Sequence, residues 1–62
     1  MEIEKLLTTK EVAEYLDIAI STLMEYRVNR TGPVYIKLGH LVRYRKADVD
    51  EWLKTKENQA KI

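Results

Sequence analysis

The sequence predicts a small α+β domain with element order α-α-β-β-α. Three observations predict it. From Thr8 to Arg27 apolar residues follow helical spacing on both sides of a short connector. From Val34 to Arg45 two β-rich runs flank Gly39-His40. From Lys46 onward, acids precede a helical stripe of Val49, Trp52 and Leu53.

The first helix opens on a capping box. Thr8 stands three residues before Glu11, so each side chain can satisfy a backbone donor at the other position. Leu7 and Val12 occupy the positions of a hydrophobic staple. Val12, Ala13 and Leu16 make the apolar face, and the helix should end near Asp17.

Asp17-Ile18-Ala19 is the connector, with Ile18 plugging the angle between helices. The second helix is expected over about Ile20–Val28, with Leu23 and Tyr26 or Arg27 toward the core. Its start is poor, because Ala19 or Ile20 stands where Ser, Thr or Asp caps well. Ser21 or Thr22 is an alternative cap for a shorter helix.

Gly32-Pro33 ends that segment, with Gly32 supplying a conformation other residues resist. In the hairpin, Val34, Ile36 and Leu38 alternate with Tyr35 and Lys37; Val42 and Tyr44 alternate with Leu41, Arg43 and Arg45. This predicts an apolar side and a basic or aromatic side, with Lys37 and Arg43 facing outward together. The apolar side must pack on the helices, because an isolated hairpin is unstable in water. The third helix should run from Lys46 or Ala47 to Lys54 or beyond, with Trp52 centring the core. The expected core is Leu7, Val12, Leu16, Ile18, Leu23, Ile36, Val42, Tyr44, Val49, Trp52 and Leu53.

With 62 residues the chain is read as one domain, ordered over about 6–54, with 55–62 as a polar tail. A chain of this size buries only about 60% of its unfolded surface. The absence of cysteine removes disulfides and thiolate metal sites and is consistent with a reducing, cytoplasmic setting. No apolar run approaches a membrane span, and Met1–Leu7 is too short and charged for a signal peptide.

The net charge of +1 hides a strong asymmetry. Residues 1–17 carry two lysines against five acids, a balance of −3. Residues 18–46 carry six cations against Glu25, a balance of +5. Residues 47–62 carry three lysines against four acids, −1. Charge gathered in the middle suits a face that meets phosphates, against the plainer reading of a solvated basic surface.

Catalysis has little to stand on. His40 is the only histidine, at an expected hairpin tip without a partner, so no enzyme activity is expected. Asp48, Asp50 and Glu51 read as first-turn charge complementing the helix dipole, rather than as a metal cluster. No cofactor, metal or small-molecule ligand is expected. A helix fits the major groove and a basic ribbon grips phosphates, so double-stranded DNA is the expected partner. The candidate contacts are Ser21, Thr22, Glu25, Arg27, Arg30, Lys37, His40, Arg43 and Arg45. Several have competing roles: Thr22 as a cap, Arg27 with its stem on the core, Arg45 paired with Asp48.

The strings LLTTKEVAEYLDI, STL, YR and GPVYIKLGHLVRYRKADVDEWL together resemble small winged helix-turn-helix proteins of the excisionase type. These are related in fold to the DNA-binding domains of MerR-like regulators. The resemblance spans residues 6–53. It implies a recognition helix at Ile20–Val28, a wing around Gly39-His40 and no enzyme activity. It implies roles in site-specific recombination, beside a recombinase (integrase), or in transcriptional regulation of mobile elements and prophages.

The departures fall in the recognition helix. Ala19 replaces a cap serine, Ile20 a basic or proline position, Met24 a phosphate-contacting tyrosine position, and Glu25 a basic or amide position. Ile20, Met24 and Val28 are four apart and line one side of the helix. Glu25 repels phosphates but can accept a hydrogen bond from cytosine. Three readings remain open here: apolar base contacts with the wing supplying charge; a protein interface with itself or another protein; or Ile20 and Val28 as core residues of a rotated helix.

Overall fold

The computed structural model describes residues 5–60, with side chains through residue 57. Residues 1–4, part of the Met1–Leu7 segment read as too short and charged for a signal peptide, and residues 61–62 of the expected tail lie outside the described residues. The element order is β1 (Leu6–Leu7), α1 (Thr9–Leu16), α2 (Ile20–Asn29), β2 (Ile36–Leu38), β3 (Leu41–Arg45) and α3 (Lys46–Ala60). The small α+β winged helix-turn-helix stands, with one added strand.

Both halves of the capping box form at α1. The Thr8 N–H donates to Glu11 Oε1 at 2.9 Å, and the Glu11 N–H donates to Thr8 Oγ1 at 3.1 Å. The helix closes on Asp17, which takes a left-handed conformation at φ 58°. The Ile18 N–H reaches Ala13 O and the Asp17 N–H reaches Glu14 O, satisfying the last carbonyls in a Schellman turn. Ile18 then packs against the core, filling the angle between α1 and α2 as expected.

α2 begins at Ala19 with no side-chain cap, so neither Ser21 nor Thr22 shortens it. Backbone bonding wins: the Leu23 N–H already reaches Ala19 O at 3.1 Å. The helix ends in a second Schellman turn, with Arg30 left-handed at φ 59° and the Thr31 N–H on Tyr26 O at 2.9 Å. Gly32 is not needed for an unusual φ. A Cβ there would stand 2.9 Å from Tyr26 Cβ, so close packing is what requires glycine.

The sheet order is β1-β3-β2, all antiparallel, with β3 in the centre. The two-residue turn Gly39-His40 opposes Leu38 to Leu41, Lys37 to Val42 and Ile36 to Arg43. Gly39 has φ 65° while His40 does not, the pattern of a type II′ hairpin turn. This register corrects the expected faces. Direct partners share a face, so Lys37 lies with Val42 and Tyr44 on the helix side. Tyr35 joins them, its ring 6.3 Å from that of Tyr44. Ile36, Leu38, Leu41, Arg43 and Arg45 form the outer face. Lys37 and Arg43 therefore do not face outward together.

The core is Val12, Ala13, Leu23, Tyr44 and Val49, all essentially buried, with Leu7, Leu16, Ile18, Tyr26 and Val42 packed around them. Ile36, Trp52 and Leu53 were expected there and are only half-buried outside this cluster. Tyr44, on the central strand, takes the place expected for Trp52 because helices and sheet converge on β3. α3 continues to Ala60, through residues read as a polar tail. Residues 55–60 contain no glycine or proline to stop it.

Candidate nucleic-acid interface

α2 follows α1 through a three-residue connector, which fixes one side of α2 on the core through Leu23. The opposite side is open. Ile20 and Met24 are nearly half-exposed and Val28 is 79% exposed. Burial of Ile20 and Val28 in a rotated helix is thereby overturned. Glu25 and Ser21 are exposed and Thr22 is half-buried on the same helix.

Arg27 is held from three sides. Its Nη1 donates to Thr9 Oγ1 at 3.2 Å and, more weakly, to Tyr44 OH at 3.5 Å. Its guanidinium also sits 5.9 Å from the Tyr35 ring centre. One side chain of α2 is thus tied to the start of α1, to the central strand and to the segment entering β2. Sequence spacing could not show these contacts, because all come from distant elements.

Arg27 and Arg30 meet at one cleft of about 310 Å³, lined also by Gly32, Pro33, Val34 and Tyr35. Of the lining residues Pro33 is buried and Arg30 is exposed. Two guanidinium groups beside a tyrosine suit a phosphate group. A second cleft, touching the same Gly32, is lined by Asp48 and Glu51 beside Trp52 and is unsuited to anions. Tyr35 was missed as a site residue. The only signal for it was an aromatic residue two positions after the Gly32-Pro33 break.

On the wing, Lys37, His40 and Arg45 are exposed, with His40 at the tip of the turn. Arg43 is half-buried and its Nη1 donates to Val42 O at 2.8 Å. The nine proposed contacts therefore do not form one continuous patch. Arg43 and Arg45 share the outer wing face, Lys37 lies on the other, and Arg27 and Arg30 share the cleft.

One acid of α3, Asp50, is engaged in structure. Asp50 accepts from Tyr15 OH at 2.5 Å and from Lys46 Nζ at 3.0 Å, joining α1 to α3. These donors hold the Asp50 carboxyl below the usual carboxylate range, and Asp50 in turn raises Lys46. Glu11 is likewise lowered, chiefly by the backbone N–H of Thr8. Among the described residues, no group of three potential ligands could hold a metal ion, and no helix is long and apolar enough to cross a membrane.

Two helices at a tight turn, an open second helix and a hairpin wing define a winged helix-turn-helix. The chain belongs to the helix-turn-helix domain family, whose family model matches residues 6–57. That membership supports a DNA-binding regulatory role. No curated protein matches the sequence.

Proposed function

We propose that this chain is a sequence-specific DNA-binding protein of excisionase type. It would act as an accessory factor in site-specific recombination, beside a recombinase (integrase), or as a transcriptional regulator of a mobile element or prophage. The observation that carries the reading is the cleft between the end of α2 and the segment entering β2, which brings Arg27 and Arg30 together where a backbone phosphate would anchor both. α2 contributes apolar and Glu25 contacts to base edges, while Arg43 and Arg45 add charge on the outer wing face. The strings quoted above for the excisionase resemblance support the finer assignment.

The test is binding to DNA flanking the gene, followed by footprinting, with the Arg43→Ala, Arg45→Ala double variant alongside. Binding should fall steeply with salt, and the double variant should lose affinity and have a shallower salt slope. Unchanged affinity would remove the wing from the mechanism. So small a reader should occupy repeated adjacent sites, and a single isolated footprint would argue against cooperative binding.

A second reading has its own observation. The exposed line of Ile20, Met24 and Val28 has the character of a protein contact, either with a second copy or with a foreign partner. Self-association predicts a molar mass that rises with concentration and returns to monomer with Met24→Arg. A strict monomer at high concentration, unaffected by that substitution, would sink self-association.

A further inference from the structure

The far end of the wing carries two leucines, one at the end of each strand beside the two-residue turn. Leu38 and Leu41 are direct cross-strand partners immediately flanking Gly39-His40. They are 47% and 43% exposed and lie side by side on the outer face. Neither belongs to the core or to the residues packed against it. Behind them on the same face stand Arg43 and Arg45, roughly 7 and 14 Å from Leu41 along the strand. The wing thus has an apolar point backed by two cations.

We infer that this tip is a wedge for DNA, with Leu38 and Leu41 pressing into a base step from the minor groove. The inference rests on the DNA-binding reading above and adds a mode of contact to it. With α2 in the major groove, the neighbouring minor groove is the surface an appended element meets. That groove is about 6 Å wide, too narrow for a two-stranded ribbon with side chains unless it opens. Apolar side chains inserted between base pairs open it by partly unstacking the step and kinking the duplex. A leucine pair is suited to this, since it gives up no hydrogen bond on leaving water. Arg43 and Arg45 then face the phosphates bordering the opened groove. Pyrimidine–purine steps, which unstack most readily, are the preferred target.

The experiment uses the full chain and duplexes selected from a random-sequence library, with 2-aminopurine placed singly along the bound site. The wedge predicts a fluorescence rise of about twofold or more, confined to one step, since unstacking relieves quenching of the base analogue. Leu38→Thr with Leu41→Thr, which suits a strand, should abolish the rise while the duplex stays bound. Leu38→Met with Leu41→Met should keep it. A bound wild-type chain with no localised rise overturns the wedge and leaves the DNA-binding reading standing, and this holds even if the threonine variant does not fold. A rise that persists in a folded threonine variant overturns it equally. A dimer without DNA that the threonine substitutions dissolve would give the leucines to self-association instead. Failure to bind any duplex would overturn both readings together.

Discussion

The indole N–H of Trp52 donates to the Thr31 carbonyl at 2.9 Å, tying α3 to the loop that ends α2. The Trp52 ring also lies 5.8 Å from that of Tyr26. The tryptophan is therefore a clasp at the edge of the fold rather than its centre. Replacing Trp52 with Phe keeps much of the ring contact and loses the bond. The expected loss is about 1 kcal/mol, read from thermal unfolding followed by circular dichroism.

Gly32 sits between this clasp and the Arg27–Arg30 cleft. Its backbone approaches Tyr26 so closely that an added methyl would stand 2.9 Å from Tyr26 Cβ. Gly32→Ala should destabilise by about 1–3 kcal/mol, through displacement of backbone or ring. A neutral result in denaturant melts would show that the loop yields without strain.

Arg30 holds a left-handed conformation that glycine adopts freely. Arg30→Gly should raise stability by up to about 1 kcal/mol, because an L side chain is disfavoured there. The same change removes one cation from the cleft, so DNA affinity should fall, with a salt slope smaller by about one. Stability and binding moving in opposite directions would mark Arg30 as kept for its charge. A variant that gains stability and binds unchanged would separate the cleft from DNA.

Acid should weaken the fold through two carboxylates. Glu11 and Asp50 both have folded-state pKa values lowered, by the Thr8 N–H and the Tyr15 hydroxyl respectively. A lowered carboxylate contributes stability above its unfolded pKa and loses it as pH falls through its folded value. The decline should therefore begin at about pH 4 and deepen below it. Lys46 has the opposite sign: its raised folded pKa gives stability below the ordinary lysine range, lost in strong alkali. Melting temperatures across pH should show a shallower acid limb in Glu11→Gln with Asp50→Asn. Parallel curves for variant and wild type would exclude these two groups as the cause.

Local chemistry was legible in the sequence. The Thr8–Glu11 box, the Gly39-His40 turn and the apolar outer line of α2 depend on residues a few positions apart, and each is present in the structure. Long-range pairing was not legible. β1 is two residues long, too short for any periodic signal, and exists because Leu6 and Leu7 find Arg45 and Tyr44. The left-handed ends at Asp17 and Arg30 lack the glycine that normally announces them. The tether from Arg27 to Thr9 and Tyr44 joins three separate elements. The wing faces were misassigned because equal-parity positions were matched across a turn that pairs 38 with 41.

That same pairing sets a rule for how the wing can change length. Tyr44 is held in the core and β3 is pinned by β1, so the base of the ribbon cannot rotate. Adding one residue to each strand would bring the new tip pair to the opposite face, since side chains alternate along a strand. Adding two to each would restore it. A longer graft on this hairpin therefore keeps its outward tip only in steps of four inserted residues, and shorter insertions turn it toward the body of the domain.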